Sequence, residues 1–185
     1  MKNNESKINL TGQEYIELLN FLYRANFDIE GETEIAGKNF DYYAFCEIAN
    51  EKFMGHKSVK IYSYNDYEHC MVDNQRNLDL NFLTKDFFND SIDELIEDKK
   101  NHHQSYLTYV LVVEGGVNKE EITKIESLQL SKSFWFGIRG WVDLRLIVVD
   151  LNDNTVYANN EGKDVIDNYS PCWLKKEVDK IKGGN

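Results

Sequence analysis

The sequence predicts an α+β domain: a mixed, mainly antiparallel sheet of about six to eight strands with three or four helices, in the order α-β-β-β-β-α-β-α-β-β-α. Three observations lead there. Several segments alternate apolar and polar residues with a period of two, as half-buried strands do. Thr11, Thr84 and Asn118 each stand as an N-cap before apolar residues spaced by three and four, the pattern of an amphipathic helix. Tyr106 to Val113 is apolar on both faces, as expected of a strand in the middle of a sheet covered on two sides.

Taken in order, Thr11-Gly12-Gln13-Glu14 has the form of a capping box, so the first helix starts at about Gly12. Ile16, Leu19, Leu22 and Tyr23 give it one apolar face, and Asn26 is its expected left-handed stop. Phe27 to Ile35 alternates apolar and acidic residues and reads as one strand with a wet face, ending at the turn pair Ala36-Gly37. From Lys38 to Glu47 the same period places Phe40, Tyr42, Ala44, Cys46 and Ile48 on one side, forming a hairpin with the strand before. Val59–Tyr64 and Tyr67–Val72 read as a second hairpin around Asn65-Asp66. Thr84 opens a helix with Phe88, Ile92, Leu95 and Ile96 as its stripe, Asp86 and Asp90 near its positive end, and Lys99 and Lys100 near its negative end. Asn118 with Glu121 opens a short helix with Ile122, Ile125 and Leu128 inward. Asp150 to Asn154 turn into a last strand, Thr155–Ala158, and Pro171 stands in the first turn of a C-terminal helix. With no repeat, linker or low-complexity tract, residues 1–185 read as a single domain whose ends, 1–10 and 183–185, are expected to be flexible.

The formal charge of -11, from 32 acidic against 21 basic residues, works against direct binding to nucleic acid or an anionic membrane. Cys46, Cys70 and Cys172 are widely spaced and odd in number, which argues against a disulfide framework and for a reducing compartment. No CxxC pair exists, and His56, His69, His102 and His103 lack zinc-ligand spacing, so no metal and no cofactor is expected. The pair His102-His103 reads as a solvated turn after a helix end. The N-terminus lacks an apolar signal core and no 18 apolar residues run together, which predicts a cytoplasmic protein.

The stretch Ser133 to Val149 carries the most chemistry. Read as one continuous strand, it sets Trp135, Arg139, Trp141, Asp143 and Arg145 on one face and Phe134, Phe136, Ile138, Val142, Leu144, Leu146 and Val148 on the other. Charges on a half-buried strand must pair, face water or meet a ligand. Asp143 between two guanidiniums would stay ionised and orient them, so Arg139, Trp141, Asp143 and Arg145 form a candidate ligand-binding face, suited to a small anionic ligand or to a protein partner. The same pattern also fits an internal ion-pair ladder beneath a helix. Gly137 and Gly140 bracket Arg139, which fits a bulge or a close backbone approach. Two acidic runs form a second candidate surface: Asp28, Glu30, Glu32 and Glu34 along the first strand, and Asp86, Asp90, Asp93, Glu94, Glu97 and Asp98 on one helix. Carboxylates so spaced either face water or imitate the phosphates of DNA.

The order helix, strands, helix, strand resembles the core of restriction-endonuclease-like nucleases. That resemblance implies an Asp at the end of the second core strand and a Glu-x-Lys on the third, holding Mg²⁺. Asp41 matches the first position; Lys60 matches the lysine, with no Glu two residues before it. Asp41, Glu47 and Lys60 are therefore the candidate cluster under this alternative. Asn26-Phe27-Asp28-Ile29, Phe40-Asp41 with Ala44, Asn50-Glu51-Lys52-Phe53 and, above all, Lys132-Ser133-Phe134-Trp135-Phe136-Gly137 leading to Gly140-Trp141-Val142-Asp143-Leu144-Arg145-Leu146 resemble a family of small uncharacterised bacterial proteins, a domain of unknown function. The likeness spans about Gln13 to Tyr169 and implies one intact domain. The leading reading is a non-enzymatic cytoplasmic binding module; a degenerate or divergent nuclease-fold protein is the alternative, and an acidic DNA mimic the third.

Overall fold

The computed structural model describes residues 8–48, 66–96, 104–134 and 140–183. They form a mixed seven-stranded sheet between two layers of helices, with a small two-stranded sheet beside it. The strands are β1 (Asp28–Glu30), β2 (Thr33–Ile35), β3 (Lys38–Phe40), β4 (Tyr42–Ile48), β5 (Asp66–Gln75), β6 (Gln104–Val113), β7 (Ser131–Ser133), β8 (Trp141–Asp150) and β9 (Thr155–Ala158). The helices are α1 (Gly12–Tyr23), α2 (Lys85–Leu95), α3 (Lys119–Ser127) and α4 (Pro171–Gly183). The α+β class and the broad order of elements agree with the sequence reading.

The main sheet runs β1-β4-β5-β6-β8-β7, with β9 also on β8. The two central pairings, β5 with β6 and β6 with β8, are parallel, and α2 and α3 make the crossovers between them; the outer pairings are antiparallel. Crossover helices must bury their apolar stripes on the sheet they span. Phe88, Ile92 and Ile125 accordingly pack on one face, against Leu107, Tyr109, Leu111, Leu144, Leu146 and Val148. The opposite face receives Tyr15, Ile16 and Leu19 of α1 and Leu174 of α4, over Val110, Val112, Ile147 and Val149. Gly12 lets α1 seat closely, since a Cβ there would run into the Asn74 side chain.

The caps fall where local chemistry put them. Thr11 with Glu14 and Asn118 with Glu121 both close capping boxes, and Thr84 accepts from the Phe87 amide. Four expectations are corrected. The helix α1 ends without a left-handed Asn26: Arg24 caps it in the right-handed region, and the Phe27 amide bonds back to the Tyr23 carbonyl at 2.8 Å. The segment 27–35 is two strands, β1 in the main sheet and β2 paired with β3, joined through Ala36 and Gly37 at φ 50° and 78°, the primed-turn geometry that suits a hairpin. Phe40 does not share a side with Tyr42 and Ala44; the chain bends at Asp41, so Phe40 joins the α2 and α3 core and the other two join the α1 core. Ser133 to Val149 is not one strand: β7 and β8 are antiparallel neighbours, the Phe134 amide bonds the Gly140 carbonyl at 2.9 Å, and Gly140 takes φ 84° as the chain enters β8. Val59–Tyr64, Lys99, Lys100, His102 and His103 lie outside the described residues.

Candidate functional site

Cross-strand register assembles the polar residues into rows. On the face that α1 and α4 cover, Ala44, Cys70, Thr108 and Arg145 stand side by side across β4, β5, β6 and β8. The next row is Cys46, Glu68, Tyr106, Asp143 and Ser131, and beyond it Gln104 faces Trp141 and Ser133. In the N-terminal halves of β6 and β8 burial alternates: Gln104, Tyr106, Trp141, Asp143 and Arg145 are half-buried, while Ser105, Leu107, Val142 and Leu144 are buried. In their C-terminal halves both faces are buried. Among the described residues, the helices of this face thus leave one end of the sheet partly uncovered.

Arg145 organises that end. Its guanidinium lies over the Tyr106 ring, with Cζ 3.3 Å from the ring centroid. Its Nη1 meets Glu68 Oε1 at 3.4 Å, and its Nε donates to the Glu161 carbonyl at 3.2 Å. The two charged side chains are only 11% and 13% exposed, so this is a largely buried pair that needs further hydrogen bonds to hold it. Thr108 supplies one, its hydroxyl donating to Glu68 Oε1 at 3.0 Å. Gln104 donates to the Tyr106 hydroxyl and fixes the ring beneath the guanidinium.

Asp143 is not the partner of Arg145 that the sequence suggests. Its carboxyl takes side-chain hydrogen bonds from Ser131 and Trp141, and burial pushes it above the ordinary carboxylate value; the Glu161 charge pushes the same way, against a weaker pull from Arg145. Behind the Arg145–Glu68 pair a string of phenols enters the core. The Tyr23 hydroxyl lies 3.6 Å from Cys70 Sγ and 2.7 Å from the Tyr169 hydroxyl, and the Tyr15 hydroxyl donates to the Tyr169 carbonyl at 2.7 Å. Burial raises the Tyr23, Tyr169 and Cys70 groups well above their usual values, so all three stay protonated at neutral pH. A thiol so held is not a nucleophile.

Asn159 locks the loop that carries Glu161. Its Oδ1 accepts from the Leu146 and Gly162 amides at 2.9 and 3.0 Å, and its Nδ2 donates to the Leu144 and Leu128 carbonyls at 2.9 and 3.1 Å. All four hydrogen-bonding positions of a buried amide are thus used. The family model described as Domain of unknown function (DUF8052) matches residues 11–171. The chain belongs to this family. The DUF8052 stretch begins at the cap of α1 and ends at the first residue of α4, so it holds the whole sheet and every site residue named above. The chain matches no curated protein and no solved structure.

Of the sequence candidates, Trp141, Asp143 and Arg145 share one face of β8, while Arg139 lies outside the described residues. Asp41 precedes β4 and Glu47 sits near its far end, about 20 Å apart at the usual rise of a strand. Lys60 lies outside the described residues. Asp41 is instead engaged at its own end, accepting from the Asn74 amide at 2.6 Å. Among the described residues no three His, Cys, Asp or Glu side chains gather to hold a metal ion. The acidic runs are also divided. Asp28 and Glu30 edge the main sheet, Glu34 belongs to the small one, Glu94 accepts from the Ala36 amide at 2.9 Å, and Asp93 pairs with Lys132 at 3.8 Å; Glu97 and Asp98 lie outside the described residues. Sequence reasoning missed Glu68, Tyr106, Glu161 and Asn159. A carboxylate in line with Cys70 and Val72 was the signal for Glu68.

Proposed function

We propose that this domain is a cytoplasmic binding module with no chemistry of its own, and that it takes a basic segment of a protein partner on the half-open end of β6 and β8. The observation that carries this is the shared alternation of the two strands, which presents Tyr106, Trp141, Asp143 and Arg145 together on a rigid sheet. Tyr, Trp and Arg dominate the energetics of protein interfaces. Asp143, desolvated and repelled by Glu161, gains from a donor or cation brought against it. A small anion is a poorer fit, because Arg145 is already committed to Glu68, to the Glu161 carbonyl and to the Tyr106 ring. That Cys46, Cys70 and Cys172 form no disulfide fits a reducing compartment. No described helix is long and apolar enough to cross a membrane.

The test is affinity capture from native extract at low salt, comparing the wild type with Trp141→Ala and Asp143→Lys after circular dichroism has shown the fold intact. A partner with a basic contact segment, held by the wild type and lost from both variants, supports the reading. Equal capture by all three proteins, or capture of nothing, sinks it.

A further inference from the structure

One edge of the main sheet is β7, and its main chain is only half used. The Leu130 carbonyl accepts from the Leu144 amide at 2.9 Å and the Phe134 amide donates to the Gly140 carbonyl at 2.9 Å, so the even-numbered residues turn their main-chain groups inward to β8. Antiparallel strands alternate, which leaves the N–H and C=O of Ser131 and Ser133 pointing away from the sheet. Among the described residues nothing pairs with these four groups, and both serines are exposed. Edge strands are normally guarded, because open main-chain groups invite pairing with another chain. The opposite edge is guarded by charge: β1, also three residues long, carries exposed Asp28 and Glu30. The one charge on β7, Lys132, meets Asp93 of α2 at 3.8 Å and so lies on the other face from the serines. On the face that carries Asp143, this edge shows two short neutral side chains.

We infer that the partner's basic segment binds as an added strand along β7, its main chain pairing with Ser131 and Ser133 and a lysine or arginine of it reaching over Ser131 to Asp143. This rests on the reading of this end of the sheet as a site for a basic segment, and adds the conformation of that segment and the edge it takes. Extended segments add to exposed sheet edges in just this way, the main chain giving affinity and alternate side chains specificity. Residues directly opposite in a ladder share a face, so the residue set against Ser131 lengthens the row Glu68, Tyr106, Asp143 and Ser131 by one. It stands two strand spacings from Asp143, about 10 Å. A long basic side chain can cross that gap only over a small residue, and Ser131 is one. The Asp143 carboxyl takes side-chain bonds from Ser131 and Trp141 and keeps acceptor sites to spare, since a carboxylate offers about four. A second copy of the chain fits the edge poorly, because two molecules of charge -11 repel.

The probe is a capped hexapeptide of alternating lysine and threonine, titrated calorimetrically into the full chain at low salt. Saturable one-site binding is expected. Two further peptides keep its sequence and charge but carry N-methyl groups on every lysine or on every threonine. A strand bonds its neighbour through alternate residues, so one of the two binds about tenfold more weakly or worse and the other binds as the parent does. Ser133→Pro deletes an outward N–H without breaking a bond to β8 and weakens the parent peptide by a similar factor, whereas Ser133→Ala leaves it unchanged. Asp143→Asn weakens it about tenfold, the usual worth of a hydrogen bond to a charged group. Equal binding of both N-methylated peptides, or wild-type affinity in Ser133→Pro, overturns the added strand, and a loss in Asp143→Asn then keeps the basic site. Dependence on the edge with none on Asp143 overturns the inference together with the reading beneath it. Absence of saturable binding by the parent peptide also overturns the inference, and capture of a partner by the wild type but not by Asp143→Lys would still keep the site.

Discussion

The two halves of β6 and β8 are made of the same strands in the same register, yet they solve different problems. In the C-terminal halves, Val110 to Val113 and Ile147 to Val149 are buried on both faces, under α1 and α4 on one side and α2 and α3 on the other. Dispersion and apolar burial suffice there, and no side chain needs a particular partner. In the N-terminal halves one face stays dry while the other carries Arg145, Tyr106, Thr108 and Asp143, with Glu68 of β5 beside them, each held by a specific contact. Polar groups at low exposure cost stability unless satisfied, so this half owes its order to hydrogen bonds and could not hold its shape by apolar contact alone. The lesson is that apolar packing and polar satisfaction are separated along the strands.

The sharpest way to break the comparison is to remove the residue that ties the polar half to the rest. Asn159→Ala abolishes four side-chain hydrogen bonds and leaves the Leu144 and Leu128 carbonyls and the Leu146 and Gly162 amides without that partner. The Gly162 amide keeps its bond to the Asn159 backbone carbonyl at 3.1 Å, so at about 1 kcal/mol or more for each of the other three groups the loss is expected to exceed about 3 kcal/mol. Urea denaturation measures it. A loss below about 1 kcal/mol would show that the loop carrying Glu161 does not depend on this amide.

The next largest effect separates the pair from its parts. Arg145→Ala strands Glu68 at low exposure and should cost about 3 kcal/mol. The double variant Arg145→Met with Glu68→Leu fills the same space with apolar groups and should recover most of that, making the polar half resemble its dry neighbour. If the double variant is less stable than Arg145→Ala, the contrast between the two halves is not one of polar satisfaction.

How much of this was legible depended on how local the determinant is. The capping boxes at Thr11 and Asn118 and the cap at Thr84 need only a few neighbouring residues, and all three were readable. The dry strand β6 was readable because burial on two faces leaves no polar position between Leu107 and Val113 apart from Thr108. The fold-back before β8 was not, for a reason of parity. Ser131 pairs with Asp143 and Ser133 with Trp141, so odd residues share a face on both β7 and β8, and an antiparallel pair in that register gives the same alternation as one long strand. The sharing of a face by Trp141, Asp143 and Arg145 was therefore correct although the continuous strand was wrong. Glu68 as the partner of Arg145 required knowing that β5, β6 and β8 lie parallel, which crossover helices decide and no short motif encodes. Asn159 answers to backbone groups from three separate segments, and of these only Gly162 stands near it in sequence.

The smallest effect concerns Asp143, and its sign tests whether the polar half is compensated or strained. Its folded pKa lies above the ordinary carboxylate value because burial and Glu161 disfavour the charge. Between the unfolded and folded values the native state holds more protons than the unfolded state, so stability falls as pH rises through that window. The contribution is fully present below the unfolded value of about 3.9 and gone above the folded one. Asp143→Asn keeps an oxygen for Ser131 or Trp141 but cannot ionise. Relative to the wild type it should gain little near pH 3 and show a higher melting temperature at pH 7, once other titrating groups cancel in the difference. The opposite result, a wild type that is the more stable at pH 7, would mean that the Asp143 carboxylate is held by a cation, and among the described residues Arg145 is the cation that acts on it. Arg145 would then be shared between Glu68 and Asp143, and the acidic character proposed to draw a basic partner to this end of the sheet would be largely neutralised from within.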